Sequence, residues 1–281
     1  MKNLIIDTEV HVLQPSVIEG NFADRYPEEP TVKAIHKHAE YSKVINLLPL
    51  SSLLDSMNDN KIDLSIIMGM PWRDFGLQKE NNNYIEECVT KYPTHFKALY
   101  IPNLNCIKTA NKEIEALDNS KFIGVKMLPK DQGRNMLDPE LFPFYETLVA
   151  RKFPLMLHVE HITQSAATDS PFYLLQLAIK FPKLKIIAAH MGGLLALYGL
   201  MPKYKDVISK IHFITSVSAT MEFVEFGVKV NPKNICFGTD FPFNHSHSQK
   251  QVLDKIKSLD LDQSTQFDIL GGNATNFYGL S

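Results

Sequence analysis

Eight short apolar runs rich in β-branched residues recur along the chain, and segments with helical punctuation separate them. The runs are LIIDTEVHVL (4–13), DLSIIMGM (63–70), FKALYIPNL (96–104), FIGVKMLP (122–129), PLMLHVEH (154–161), LKIIAAHMGG (184–193), IHFITSVS (211–218) and NICFGTDFPF (234–243). Continuous rather than alternating apolarity is typical of parallel strands that are covered on both faces. Eight such strands alternating with helices predict an α/β fold, a (β/α)8 TIM barrel, with a doubly wound open sheet as the alternative.

The segments between these runs carry signals for the beginnings of helices. Asp138-Pro139 and Ser170-Pro171 are each an N-cap residue followed by a first-turn proline. The segments LSSLLDSMNDNKI (50–62) and SQKQVLDKIKSL (248–259) have the apolar spacing of amphipathic helices. The first connection, residues 14–50, is long. In a barrel it would lie over the mouth as a lid or binding loop.

Composition and charge exclude several classes of protein. A length of 281 residues with 44% hydrophobic and 21% charged residues allows a large core, and we expect one barrel domain over residues 1–281. The formal net charge of -2, without a long Lys/Arg run, argues against binding to nucleic acid. No apolar stretch approaches the roughly 20 residues of a membrane span.

The cysteines and the N-terminus bear on the compartment. Cys88, Cys106 and Cys236 are scattered and lack metal-type spacing, so they fit buried thiols in a reducing environment. The segment MKNLIIDTEV has a short apolar run broken by Asp7, so we expect no signal peptide there. We therefore expect a cytoplasmic protein.

Ionisable side chains occur near the carboxyl ends of five of the eight runs, although those runs begin with apolar residues. They are Glu9 and His11 in the first run, Lys126 in the fourth, His158 in the fifth, His190 in the sixth and Asp240 in the eighth. The carboxyl ends of barrel strands meet at one mouth, where active sites lie. A single histidine there is usually a hydrogen-bonded core residue. Five such positions together predict a shared metal ion, because each side chain is costly to bury unpaired.

The first run offers two of these side chains on one side of a strand. Asp7, Glu9 and His11 occupy alternate positions, and residues two apart on a strand point the same way. If that side faces the barrel interior, Glu9 and His11 form a two-armed clamp for a cation.

Six motifs in sequence order resemble the amidohydrolase superfamily, specifically its branch of small metal-dependent barrels that includes aminocarboxymuconate semialdehyde decarboxylase and γ-resorcylate decarboxylase. DTEVH stands where that family has D-x-H-x-H, and GVKMLP, LMLHVEH, IIAAHMGG, ICFGTDFPF and ILGGNATNFYGL match its later motifs. The resemblance covers the whole chain. It implies a barrel of the metallo-dependent hydrolase type with an extended first connection.

The resemblance implies that Glu9, His11, His158 and Asp240 hold one divalent metal ion, with His190 beside it as a catalytic acid/base or polarising residue. Asp240 would be catalytic as well. Glu9 departs from the family pattern, which usually has histidine there. A carboxylate oxygen can bind zinc at a similar distance, so we expect Zn²⁺, with Mn²⁺ as the alternative that the two carboxylates favour.

Three further residues are expected to bind substrate. Lys126 would offer its charge to a substrate carboxylate or serve as a structural amine, rather than be carboxylated to bridge two metals. Trp72 and Arg73, in MPWRDF, would lie at the mouth and grip an anionic compound. The equally weighted alternative is a solvated loop in which Trp72 is a packing residue.

Two other His-x-His pairs are not assigned to the metal. His36 and His38 lie on a charged segment, and on a helix residues two apart face different ways. His245 and His247 precede a predicted helix, where polar loop residues that cap the helix are a simpler interpretation than a second metal site.

The predicted function is hydrolysis of a small, anionic carbonyl compound (a lactone, ester or amide) by a metal-activated water, with Asp240 transferring the proton. The alternative, favoured by Glu9, is non-oxidative decarboxylation of an aromatic or unsaturated acid. The compact length weighs modestly toward hydrolysis. A third hypothesis is a metal-bearing barrel that only binds a ligand. We expect a small-molecule substrate and no membrane partner, and the resemblance suggests a homodimer.

Overall fold

A computed structural model describes residues 4–18, 21–37, 44–159, 169–217, 221–244 and 246–280. Its eight strands are parallel and lie in chain order, each beside the next. They are β1 Ile6–His11, β2 Leu64–Met68, β3 Phe96–Tyr100, β4 Phe122–Met127, β5 Leu155–Leu157, β6 Ile186–Ala188, β7 Ile211–Ile214 and β8 Ile235–Cys236. Every strand lies within one of the eight apolar runs, so the predicted strands are confirmed.

The end of β8 returns to β1 and nearly closes the sheet. The Thr8 N–H donates to the Phe237 carbonyl at 3.0 Å, and the His11 N–H donates to the Phe241 carbonyl at 2.7 Å. The predicted (β/α)8 barrel is confirmed, and the open-sheet alternative is wrong because the first and last strands of an open sheet would lie apart.

Helices follow the strands along the chain. Those of the described residues are α1 Phe22–Arg25, α2 Pro30–Lys37, α3 Leu50–Asn60, α4 Phe75–Lys91, α5 Ile107–Ala116, α6 Phe142–Arg151, α7 Pro171–Lys180, α8 Lys205–Ile208, α9 Glu222–Val230, α10 Gln249–Ser258, α11 Gln263–Phe267 and α12 Asn273–Tyr278. As predicted, Ser170 caps α7. Ser248 caps α10, the helix expected over residues 248–259. Asp138 instead caps a 3-10 turn, Pro139–Leu141, that leads into α6. None of these helices is long and apolar enough to cross a bilayer.

Apolar side chains fill the barrel interior below the mouth. Ile6, Ile66, Met156 and Ile187 from four strands belong to one buried cluster, and Phe277 of α12 packs against it. Burial of such side chains is the main favourable contribution to the stability of the fold. The ionisable side chains of the strand ends lie above this packed interior.

The long first connection has a hydrophobic cluster of its own. Phe22 and Ile35 pack there with Trp72, which follows β2, and with Phe243, which follows β8. Glu29 fixes the connection further, since its carboxylate accepts backbone N–H donors that follow β2: from Arg73 at 2.9 Å and from Asp74 at 2.6 Å. The connection therefore lies against the loops that surround the mouth.

Candidate metal centre and active site

Three side chains from opposite ends of the chain converge at the mouth. Glu9 and His11 of β1 and Asp240, which follows β8, each offer a ligand atom, and these atoms all lie within 4.8 Å of one another. Nε2 of His11 is 3.3 Å from Oδ1 of Asp240. Glu9 and His11 are buried, whereas the Asp240 side chain is 16% exposed. Asp240 therefore forms the solvent side of the group.

The hydrogen bonds of His11 show which of its nitrogens can bind a cation. Nδ1 lies 2.7 Å from the Gly69 carbonyl oxygen, which can only accept, so we assign the proton to Nδ1. In the neutral ring Nε2 then carries a lone pair and faces the carboxylate of Asp240, another acceptor. A divalent cation would satisfy both groups, and two carboxylates with one imidazole are a donor set that suits Zn²⁺ or Mn²⁺. The residues present therefore fit a metal ion.

Glu9 is held by two donors from other strand ends. Its Oε1 accepts from Nζ of Lys126 at 2.5 Å, and its Oε2 accepts from the Ser216 hydroxyl at 2.5 Å. Burial by itself raises the pKa of Glu9, but the charge of Lys126, the electrostatic effect of His190 and the hydrogen bonds from Lys126 and Ser216 outweigh it and hold that pKa well below its ordinary value. Glu9 is therefore ionised.

Lys126 occupies the position of a structural amine. The side chain is fully buried and its ammonium pairs with Glu9. A lysine that binds a substrate carboxylate would present its charge at the opening of the site. The geometry therefore favours the structural role over the expected substrate contact.

His158 and His190 form a second group beside the first. Nδ1 of His190 lies 2.6 Å from the Ser216 carbonyl oxygen, and its Nε2 lies 3.1 Å from Nδ1 of His158. The two rings meet edge to face, with centroids 4.8 Å apart. Of the four expected ligands, the described structure brings ligand atoms of Glu9, His11 and Asp240 within 4.8 Å of one another, and it places Nδ1 of His158 beside His190. The expected role of His158 as a fourth ligand stays a prediction.

Ser216 was not assigned from the sequence, although it lies close to both groups. Its hydroxyl donates to Glu9 and its backbone carbonyl accepts from His190. The available signal was its position in the run IHFITSVS, where small polar residues follow apolar ones at the carboxyl end of a strand. Ser216 connects the histidine pair with the candidate metal group.

Strict alternation along β1 would place Asp7 on the same side as Glu9 and His11. Its side chain instead makes a different set of contacts. The pairing of β1 with β2 shifts register between Asp7 and Val10. Such a bulge inserts an extra residue and changes the direction of the side chains that precede it. Asp7 instead bonds to Gln249 at the start of α10, at 2.8 Å.

Asp7 is a second residue that was not assigned from the sequence. It is fully buried and accepts hydrogen bonds from Thr239 and Gln249. Burial raises the pKa of Asp7 to about 7, although the bonds from Thr239 and Gln249 act in the opposite direction. Its contacts join β1 to the segment that carries Asp240.

A glycine allows the segment before Asp240 to approach β1 and β7. A Cβ atom at Gly238 would lie 2.3 Å from Cγ2 of Ile214 and 2.7 Å from Oγ1 of Thr8. Both distances are shorter than non-bonded atoms allow. Gly238 therefore lets the chain bring Asp240 to the closing seam of the barrel.

Trp72 and Arg73, the two residues expected to grip the substrate, have different surroundings in the structure. Trp72 is fully buried, its Nε1 donates to Oδ1 of Asn81 at 3.0 Å, and its ring lies 5.8 Å from that of Phe22. These contacts favour the packing alternative for Trp72. Arg73 is exposed on the loop that follows β2, and its Nε donates to the Asp131 carbonyl oxygen at 2.7 Å. Its expected contact with substrate stays a prediction.

The unassigned histidine pairs fall partly outside the described residues. His38 and His245 lie there, as do the last two residues of the run 154–161. His247 lies just before Ser248, which caps α10.

Comparisons with known proteins agree on one family. The sequence model described as Amidohydrolase matches residues 6–280. The chain is 22% identical over 275 residues to 2-amino-3-carboxymuconate-6-semialdehyde decarboxylase of Dictyostelium discoideum, covering 81% of this chain and 76% of the relative. It is 24% identical over 249 residues to gamma-resorcylate decarboxylase of a Polaromonas species, covering 71% and 75%.

Solved structures share the fold at low sequence identity. The structure is similar to that of 5-carboxyvanillate decarboxylase from Sphingomonas paucimobilis, with a TM-score of 0.84, 16% identity and 100% of both chains covered. It is also similar to 5-carboxyvanillate decarboxylase from Novosphingobium aromaticivorans, with a TM-score of 0.79 and 16% identity over 99% of this chain and 96% of that one. The latter was solved with manganese and 4-hydroxy-3-methoxy-5-nitrobenzoic acid.

Proposed function

Because this chain belongs to the amidohydrolase family, we propose that it is a metal-dependent decarboxylase that removes CO2 from a phenolic or unsaturated carboxylic acid without an oxidant. The observation that carries the proposal is the cation-binding group of Glu9, His11 and Asp240. The two named relatives, which align with 81% and 71% of this chain, are both decarboxylases. From the sequence alone hydrolysis is expected first and decarboxylation second, and the named relatives favour the reverse order.

The length of the chain no longer favours hydrolysis. A match that covers 100% of both chains leaves no large insertion to distinguish this barrel from 5-carboxyvanillate decarboxylase. The expected metal also changes from Zn²⁺ to Mn²⁺. Manganese occupies a similar decarboxylase, and the two carboxylates of this site offer the hard oxygen donors that Mn²⁺ prefers.

The proposed mechanism depends on one proton transfer from the protein. Glu9, His11 and Asp240 would hold the metal ion, whose positive charge would anchor the oxygen atoms of the substrate. Asp240, in its protonated form, gives its proton to the carbon that bears the carboxylate. The bond between that carbon and the carboxylate then breaks, its electrons return to the ring or double bond, and CO2 leaves. A proton from solvent restores Asp240, so one proton is consumed for each CO2 released.

Asp240 is a better proton donor than His190 on geometry. Both ring nitrogens of His190 have partners, the Ser216 carbonyl and His158, and His190 is 8% exposed. The Asp240 side chain is 16% exposed and lies at the solvent side of the group. His190 instead orients His158 and, through Ser216, the Glu9 carboxylate.

The proposal is tested by following CO2 and acid release in heavy water. The Mn²⁺-loaded protein is incubated in D2O with 2,6-dihydroxybenzoate, 5-carboxyvanillate and 2-amino-3-carboxymuconate 6-semialdehyde, and separately with lactones. We expect CO2 from at least one carboxylic acid, with one deuterium at the carbon that lost it. Acid release from a lactone without CO2 would restore the hydrolase hypothesis, and binding of these compounds without turnover would favour a ligand-binding barrel.

A further inference from the structure

We propose that Gln249 is a positioning residue that acts through Asp7 to hold Asp240 and Glu9 at the spacing that a divalent cation requires. The consequence for turnover rests on the proposed function, whereas the consequence for metal binding does not. Gln249 is the first residue of α10 and is 2% exposed, and its side chain bonds to Asp7 and Ser56 rather than to Glu9, His11 or Asp240.

Asp7 forms hydrogen bonds with the backbone of Glu9 and with Thr239, the residue before Asp240. Oδ1 of Asp7 accepts the backbone N–H of Thr239 at 3.0 Å and that of Glu9 at 3.3 Å. Oδ2 of Asp7 accepts the Thr239 hydroxyl at 2.6 Å. One buried carboxylate therefore joins Glu9 to the residue directly before Asp240.

Asp240 needs this support because its backbone is strained. Its φ is +60°, in the left-handed region, which aspartate tolerates better than most residues but still disfavours. Its N–H donates to the Glu9 carbonyl at 2.8 Å, the next contact along the closing seam. If Asp7 moved, Thr239 would lose two hydrogen bonds and the Glu9 N–H would lose one, so the segment that leads into Asp240 could rotate away from β1.

The second step runs from Gln249 to Asp7. Nε2 of Gln249 donates to Oδ2 of Asp7 at 2.8 Å, and its Oε1 accepts the Ser56 hydroxyl of α3 at 2.5 Å. The Ser56 hydroxyl of α3 thus fixes the side-chain amide of Gln249, and that amide in turn orients the Asp7 carboxylate.

A cavity beside these groups makes the hydrogen bonds important. Its volume is about 410 Å³, and its lining includes Ser56, Thr239, Phe241 and Gln249. Close packing normally limits the movement of buried side chains. Next to a cavity of this size that restraint on the Gln249 side chain is weaker, so its hydrogen bonds to Asp7 and Ser56 have to fix it.

The test replaces Gln249 with methionine, which has a similar length but cannot donate to Asp7. Titration of the metal-free protein with Mn²⁺, followed by electron paramagnetic resonance of the free ion, should give a Kd about tenfold weaker than that of the wild type. We also expect kcat to fall by about tenfold with KM unchanged, because outer contacts of metal ligands affect affinity and turnover on this scale.

The matched control is Gln251→Met, on the same helix. Gln251 completes the capping box with Ser248 and has no contact with Asp7. This variant should lower Tm while leaving the Kd for Mn²⁺ within twofold of the wild type. Equal Mn²⁺ affinity for Gln249→Met and Gln251→Met would overturn the proposal.

Two milder variants decide the matter if Gln249→Met does not fold. Ser56→Ala removes only the hydroxyl that orients Gln249 and should weaken Mn²⁺ binding by about threefold, a fraction of the tenfold effect of losing an outer contact. Ser56→Thr keeps the hydroxyl and should restore the affinity. An unchanged Kd in Ser56→Ala would contradict the proposal. Since the titration needs no substrate, a weakened Kd in a protein that decarboxylates nothing would keep this inference and reject the proposed function.

Discussion

Replacing Asp240 with asparagine should lower kcat for decarboxylation by about a thousandfold, within the range expected for loss of a general acid. The amide has no acidic proton to give to carbon at neutral pH. Asparagine keeps the size of the side chain and one carbonyl oxygen that can reach a cation. It also tolerates the left-handed backbone, φ +60°, that this position requires. We therefore expect the variant to fold and to retain Mn²⁺ with reduced affinity.

The measurement is single-turnover CO2 release, with Tm and Mn²⁺ content determined on the same preparation. Asp254→Asn is the matched control, because Asp254 lies on α10 in an exposed ion pair with Lys250. This control should have wild-type kcat. If Asp240→Asn kept kcat within tenfold of the wild type, Asp240 would not be the proton donor, and His190 would be the next residue to substitute.

Replacing Lys126 with methionine should lower the free energy of unfolding of the metal-free protein by about 3–5 kcal/mol, the usual effect of removing one partner of a buried ion pair. Glu9 would keep the Ser216 hydroxyl but lose its main compensating charge while remaining fully buried. A buried carboxylate without such a partner is strongly destabilising.

Urea unfolding of the metal-free variants measures this effect. The double variant Glu9→Gln/Lys126→Met should recover most of the lost stability, because no unpaired charge remains. The control Lys250→Met breaks an exposed pair and should change stability by at most about 1 kcal/mol. A loss below about 1 kcal/mol in Lys126→Met would show that Lys126 is not the structural partner of Glu9.

The barrel could be predicted because its strands depend on local sequence. Runs of β-branched residues that are buried on both faces define parallel strands without reference to distant segments. The bulge between Asp7 and Val10 could not be predicted in this way, since it accompanies contacts with Thr239 and Gln249, more than 200 positions away. The register of a strand end depends on its partners, and those become known only from the tertiary structure.

The site could also be predicted only in part. Glu9, His11 and Asp240 could be grouped because the carboxyl ends of barrel strands meet at one place. The role of Lys126 depended on its distance from Glu9, and the burial of Trp72 depended on Phe22 in the first connection. Neither distance follows from the spacing of residues along the chain. The choice between hydrolysis and decarboxylation was the part of the prediction with the least support from the sequence, because substrate preference is determined in loops.

We propose that residues at the carboxyl ends of the first and last strands of the barrel together bind a single divalent cation. The most direct test is an anomalous difference map from a crystal grown with Mn²⁺. We expect one strong peak at the mouth, with ligand atoms of Glu9, His11 and Asp240 within coordination distance of it. A map without a peak between these three side chains, or with manganese bound only elsewhere, would contradict the account.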